Sequence, residues 1–311
     1  MGHNQIVYTV TLGELAEVPG APFAYWAPKS LRELFKKYPP LDRDVAGMPD
    51  KPKIADVKQG LATADDLRFT RYWWEVPVEQ IGTSREETFR GKKWVPFAKG
   101  GKPFYHDVQF VVNWENSGEE VKRYIVERYP YLQGKWEWVV KNESFYFRAG
   151  LAWPLIESDL RLNAFNVPEG TIPSHAAHSV FVEGKQRQPM VAFLNSLLAC
   201  QFFKLLDPLV HNREGGKIAR FPVISALFEN QGLLTLSREA HDLLREWSTG
   251  DEPSTVFVAP WLLQVFWRLK ERGDDELMPR TGHPLAEDFE WHYGMPQEVM
   301  DRLSTEMEDG L

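Results

Sequence analysis

Apolar and polar residues recur along this chain with two different periods, and the change of period divides it. Near the N-terminus Ile6-Val7-Tyr8-Thr9-Val10 alternates as a short strand would, and after a turn-rich stretch Leu31, Leu34, Phe35 and Tyr38 recur at helical spacing. Ser30 followed by Glu33 reads as a capping box for that helix, and Pro39-Pro40 ends it. Residues 41–57, rich in Pro, Asp and Lys and without periodicity, predict an exposed connection. From Leu67 the pattern becomes that of strands. Arg68, Thr70 and Tyr72 alternate with Phe69, Arg71 and Trp73, which sets the two arginines on opposite faces with one of them turned to an interface or an acid.

Further strands are predicted at 108–114, 136–140 and 144–147, the last two joined by Lys141-Asn142-Glu143 as a hairpin. A long, weakly periodic stretch then runs to 179–182. Residues 190–206 read as one buried helix opened by Pro189. Beyond Ser225, two apolar stripes predict helices: Leu236, Ala240, Leu243, Leu244 and Trp247, then Leu262, Val265, Phe266 and Leu269 between Pro260 and Gly273. A last helix is predicted at 296–308. The fold class expected is α+β: an N-terminal helix and extended linker over 1–66, a mixed, β-rich domain over 67–224 and a helical tail over 225–311.

Composition supports a folded chain. Its 311 residues are 43% apolar and 13% aromatic, enough for a large core. The apolar run at 190–206 is interrupted by Asn195, Gln201 and Lys204 and falls short of the roughly 20 residues of a membrane span, so no membrane is expected. With no basic leader ahead of an apolar core, the expected compartment is the cytoplasm. Cys200 is the only cysteine, which excludes an internal disulfide and a cysteine-rich zinc site.

The net charge of −8 argues against a nucleic-acid partner until it is divided along the chain. The acid surplus lies after Ser225, and the residues before it are slightly basic. Local field rather than total charge attracts phosphate. Residues 89–112, FRGKKWVPFAKGGKPFYHDVQFVV, wind Arg90, Lys92, Lys93, Lys99 and Lys102 around Trp94 and Gly100-Gly101, and cations in that density belong on a surface that faces something anionic. A second basic segment, HNREGGKIARFPV, carries Arg213, Lys217 and Arg220 about a Gly-Gly hinge. Catalytic signatures are missing: there is no GxxxxGK[ST], GxGxxG or GxSxG. His175 and His178 lack a third ligand, and Glu183-Gly184-Lys185 with a distant Asp159 is too common a pattern to assign a nuclease. No catalytic or metal residue is therefore expected in this chain.

The segments GLATADDLRFTRYWWEV, KKWVPFAKGGKPFY, FYFRAGLAW and FLNSLLACQFFKLLDP with HNREGGKIARFPV occur in the order and rough spacing seen in the C-terminal half of large adenine-specific DNA methyltransferases. The chain resembles those of bacteriophage-exclusion (BREX) systems and the type IIG restriction-modification enzymes, in which a SAM-dependent domain precedes a target-recognition domain. The resemblance spans residues 22–222. It departs from the family at the chemistry, because the Asn/Asp-Pro-Pro-aromatic motif and the glycine-rich SAM loop are absent here; the one Pro-Pro lies in Tyr38-Pro39-Pro40-Leu41.

What the resemblance implies is a recognition domain over 67–224 without its catalytic half, whether a specificity subunit, a split gene or a piece of a longer protein. It implies that double-stranded DNA and a methyltransferase domain or subunit are the partners, and that SAM binds on the latter and not on this chain. By the same implication Arg68, Arg71, Arg90, Lys92, Lys93, Trp94, Lys99, Lys102, Tyr105, Asn212, Arg213, Lys217 and Arg220 lie along the DNA cleft. Arg148 and Trp153 are the candidates for base readout, with core packing the favoured alternative for Trp153. Lysines suit phosphate contact, which positions without specifying; Arg and aromatic tips suit base edges. The competing reading is a protein-interaction subunit of an anti-phage defence complex that no longer reads DNA.

Overall fold

Short runs of branched and aromatic residues form eight strands: β1 (Asp56–Lys58), β2 (Thr70–Tyr72), β3 (Trp94–Ala98), β4 (Phe110–Asn113), β5 (Gly150–Pro154), β6 (Phe165–Val167), β7 (Ile172–Pro173) and β8 (Ala177–Phe181). The computed structural model describes residues 8–20, 22–158, 160–207 and 212–272. The strands make two four-stranded sheets, β1-β8-β5-β6 and β2-β4-β3-β7. All pairings are antiparallel except β3 with β7. With the helices that pack on them, the fold is α+β. The chain divides into two compact units, Met1–Arg238 and Glu239–Leu311, and both sheets belong to the first.

In the first sheet β5 and β8 are buried at every position. A strand covered on both faces has no polar side to alternate with, which is why the weak periodicity of this stretch hid it. Leu151, Trp153 and Val180 face a core completed by the helices Arg187–Leu194 and Leu197–Leu206 and by Val18, Phe35 and Leu41 from the N-terminal residues. Phe35 meets Phe202 edge to face at 5.2 Å. In the second sheet Val95, Phe97 and Val112 cover a core shared with Trp114 and with Val121 and Ile125 of the helix Glu115–Arg128, which Trp114 precedes.

Several local expectations give way to tertiary demands. Residues 41–57 are no exposed connection at their ends: Leu41 and Asp42 are fully buried, and the Asp42 carboxylate accepts from Asp44 N, Val45 N and Val57 N, capping the turn Arg43–Ala46 and fastening β1. The early helix is Lys29–Lys37, so Ser30 lies inside it and forms no cap. Residues 136–147 make two 3-10 turns, Trp136–Trp138 and Glu143–Phe145, in place of the predicted hairpin. Asn142 between them is left-handed (φ 58°), and its side chain donates to Gln59 O. The run 190–206 breaks at Asn195-Ser196, where the two helices bend by 72°. Asn195 there exchanges two hydrogen bonds of 2.8 Å with the backbone of Ala164, and Ser196 caps the second helix. Among the described residues no single helix is long and apolar enough to cross a membrane.

In the second unit the helix Trp261–Arg272 follows the predicted stripe, and the helix Gln231–Ser248 spans the division between the units. The Trp261 ring packs at 5.2 Å against Trp247, tilted by 32°, and donates its indole N–H to Trp247 O. The helix predicted at 296–308, Ile6, Val7, Asp159 and the side chains of Phe266 and Leu269 lie outside the described residues.

Candidate nucleic-acid interface

The basic stretch 89–112 is organised by β3, so it is no open loop. Val95 and Phe97 alternate inward to the core, which turns Trp94 and Pro96 to the other face. The cations are thereby split between the two ends of a strand. At its start, the register pairs Trp94 with Asn113, Pro96 with Val111 and Arg71 with Val111, placing Arg71, Trp94 and Asn113 on one face. The Arg71 guanidinium stands 5.9 Å from the centre of the Trp94 ring and the Lys93 ammonium 5.8 Å from it. Arg68 joins them because residues 66–69 form a helical turn and β2 begins only at Thr70, which overturns the opposite-face expectation. Its guanidinium meets Glu120 at 2.9 Å, and the other Glu120 oxygen accepts from Asn113 at 2.8 Å. The Arg68 hydrogen bond, with help from Asn113 and Lys93, holds the Glu120 carboxyl below its ordinary pKa against partial burial.

At the far end of β3, Lys99 is committed to Asp66 at 2.5 Å, and Thr63 donates to the same carboxylate. Burial alone would raise the Asp66 pKa, but these two hydrogen bonds outweigh it and the group is lowered. The Gly100-Gly101 pair is a packing requirement: Gly100 has φ +83°, and a Cβ on Gly101 would fall 2.6 Å from the Phe165 ring. Tyr105 is half-buried just beyond, where Phe104 bridges to Phe165 of the first sheet. Lys92 donates to Glu79 O at 2.5 Å. Among the described residues Arg90, Lys93 and Lys102 have no acid or carbonyl in hydrogen-bonding reach, and Arg90 and Lys102 are exposed.

The other candidates lie in or just before β5 and around the turn Gly215–Ile218. Arg148 is exposed, with its guanidinium 4.8 Å over Phe145. Trp153 is fully buried in β5 and donates its indole N–H to Arg213 O at 2.8 Å, so its ring is core and unavailable to a base. The Arg213 side chain is buried as well, which corrects its assignment to an open basic loop. Nor is Gly215-Gly216 a free hinge. Gly215 opens the turn Gly215–Ile218, donates its N–H to His178 Nδ1 at 2.8 Å, and a Cβ there would meet Val57 at 2.9 Å. Lys217 pairs with Asp207 at 2.6 Å and reaches Asn212 O; Asn212 and Arg220 are half-buried. Burial pushes the His178 imidazole down to about 4, as it must for a ring nitrogen that accepts from Gly215. Among the described residues no three His, Cys, Asp or Glu side chains are grouped to hold a metal.

One feature of the second sheet's surroundings has no counterpart among the expected site residues. Beside the start of β3, Thr83, Ser84, Arg85 and Glu86 face Glu143, Phe147 and Glu169 across a cleft of about 650 Å³. Ser84 and Glu87 form a capping box for the turn Arg85–Thr88, a pattern legible in the sequence. Behind the cleft, Asn116, Ser117 and Gly118 are left-handed in succession (φ 49°, 58° and 78°), and Phe147 on its wall has φ 66°. Non-glycine residues held in that region cost roughly 1–3 kcal/mol each and persist where the surroundings over-determine them. Here Thr88 accepts from Ser117 N, and Arg85 donates to Ser117 Oγ. The Asn-Ser-Gly string is the sequence signal for such a turn.

No family model matches this sequence. Over 216 residues, 67% of this chain, it is 28% identical to the adenine-specific methyltransferase PglX of Lacticaseibacillus casei (strain Zhang). The chain is similar to part of an adenine-specific methyltransferase. It spans 17% of that relative's length. Among solved structures, the type IIL restriction-modification enzyme MmeI in complex with DNA matches with a TM-score of 0.39 and 14% identity, over 80% of this chain and 36% of that one. At that TM-score the likeness does not establish a shared fold.

Proposed function

We propose that this chain is the target-recognition part of an adenine-specific DNA methyltransferase of the restriction-modification or phage-exclusion kind, and that it binds double-stranded DNA. The observation that carries the reading is the 216-residue similarity to an adenine-specific methyltransferase, in a sequence that has neither the SAM loop nor the adenine-holding motif. Residues 67–224 are the recognition domain in this reading. Lys93, Lys102 and Arg90, unpaired among the described residues, supply phosphate contacts, and Arg68, Arg71 and Trp94 form the adjoining surface. The target amino group of adenine is inaccessible inside the stack, so a partner methyltransferase domain or subunit takes the flipped base and holds SAM, while this chain fixes the register.

The test is binding and methylation together. Labelled duplex titrated with the chain should bind with a salt-dependent affinity; labelled SAM added with duplex should give background counts alone and site-specific methylation once a cognate methyltransferase domain is supplied. Methylation by the chain alone, or no duplex binding at any salt, would refute the reading. A second reading, a protein-interaction subunit, is favoured by the exposed Leu236, Leu243 and Trp247 on one helix; it predicts a complex with a defence protein and no duplex affinity.

A further inference from the structure

We propose that the cleft bounded by residues 83–86, 143–147 and 169 receives the guanidinium of an arginine side chain carried by a protein partner. The proposal goes beyond the reading of the chain as a duplex-binding module and does not depend on it. Three separate segments build the cleft. Gly170 has φ +84°, and a Cβ there would fall 2.6 Å from the Thr83 side chain, so glycine is what lets the segment bearing Glu169 close against the one bearing Glu86. Phe147 is fastened to the same place: its N–H donates to Thr171 O at 3.0 Å and its carbonyl accepts from Gly170 N at 2.9 Å. Glu86, Glu169 and Phe147 are thus brought to one cleft by backbone contacts that exist before anything binds.

Charge restricts what can enter. Glu143 is taken by Lys122 at 2.8 Å and lies 3.9 Å from Arg85. Arg85 is committed as well, to Ser117 Oγ at 3.1 Å and to Glu143 O at 3.2 Å. Glu86 and Glu169 are exposed and pair with no cation among the described residues. Glu86, Glu143 and Glu169 therefore outweigh Arg85 and Lys122, a balance that repels phosphate and draws in a cation. A bare metal ion does not fit, because no three His, Cys, Asp or Glu side chains among the described residues are grouped to hold one. A guanidinium does: its five donors in a planar fork can bond two carboxylates at once, and its face stacks on an aromatic ring such as Phe147. An ammonium has no such plane. Openness then separates a protein partner from a small molecule. At about 650 Å³ the cleft is as large as a small-ligand pocket, but those enclose most of their ligand, whereas Thr83, Glu86, Ser144 and Glu169 of this lining are exposed. A shallow cleft with a wet rim suits a side chain that projects from a larger body, and arginine is among the residues that anchor protein interfaces.

The experiment titrates the full chain with the capped peptide acetyl-Gly-Arg-Gly-amide and follows the peptide by NMR, beside the same peptide with citrulline or lysine in place of arginine and beside free agmatine. The arginine peptide should bind saturably. Citrulline, which keeps the shape and loses the charge, should bind about tenfold more weakly or worse, as the loss of a charged hydrogen-bonded pair requires. Glu86→Gln and Glu169→Gln should each weaken the arginine peptide by about the same factor, and Glu183→Gln, which removes an exposed acid outside the cleft, should leave it unchanged. Because Glu86 and Glu169 are exposed and unpaired among the described residues, both variants should melt with the wild type, so a lost affinity is not a lost fold. Equal binding of the citrulline peptide, equal effects of all three substitutions, or no binding of the arginine peptide overturns the site. Lysine binding as tightly as arginine overturns the guanidinium, and agmatine binding as tightly as the peptide overturns the protein partner. No arm contains DNA, so each of these failures leaves the duplex-binding reading untouched.

Discussion

Arg68 and Glu120, 52 residues apart in the chain, meet at 2.9 Å, and the second Glu120 oxygen accepts from Asn113, the residue paired with Trp94 across β3 and β4. An acid at that place restrains an arginine that would otherwise be free for phosphate. Glu120→Gln should therefore strengthen duplex binding at low salt and steepen the dependence of log K on log salt by up to about 0.9, the increment for one released counterion. Fluorescence anisotropy at several salt concentrations measures both; an unchanged slope would mean that Arg68 does not reach DNA.

The five cations around β3 are not equivalent. Lys93→Ala and Lys102→Ala should each lower the salt slope by up to about 0.9 and weaken binding alike on all duplexes. Lys99→Ala should change it little, because Lys99 is committed to Asp66, and should act on stability instead. Equal effects at Lys93 and Lys99 would contradict this ranking.

His178 makes stability depend on pH. Its folded pKa is lowered to about 4 from 6.5, so above pH 6.5 neither state holds the proton, and as pH falls the unfolded chain takes it up first. Stability is thus present above pH 6.5 and lost down to pH 4, by at most about 3 kcal/mol. His178→Asn keeps an acceptor for Gly215 N–H and removes the titration. Urea unfolding at pH 7.5 and 4.5 should show a smaller difference in the variant than in the wild type.

Trp153→Phe should cost about 1–3 kcal/mol, because the buried Arg213 carbonyl loses the indole N–H that satisfies it. Thermal melting reads the loss. Binding to DNA should keep its sequence preference, since Trp153 is inside β5; a changed preference with unchanged stability would return this residue to the interface.

The helix Trp261–Arg272 was legible from apolar residues recurring at helical spacing, and β4, buried at three of its four positions, from its run of branched and aromatic residues. The same is true of the basic character of residues 89–112. The aromatic residues 136–147 read as strands by propensity alone, and only the absence of pairing partners, with Asn142 held in a left-handed turn by Gln59, made them 3-10 turns. Strands β5 and β8 were hidden for the opposite reason, being covered on both faces.

By itself the sequence determined the α+β composition, the likeness to part of a methyltransferase, the lack of its catalytic motifs and the identity of the basic segments, all of which depend on residue type and local period. Tertiary structure alone decided which charges remain available. Whether Lys99 faces DNA or Asp66, whether Arg213 lies on a surface or beneath Trp153, and whether Arg85 is loose or pinned by Ser117 depend on residues brought together from distant parts of the chain, and a partner of that kind leaves no periodic trace.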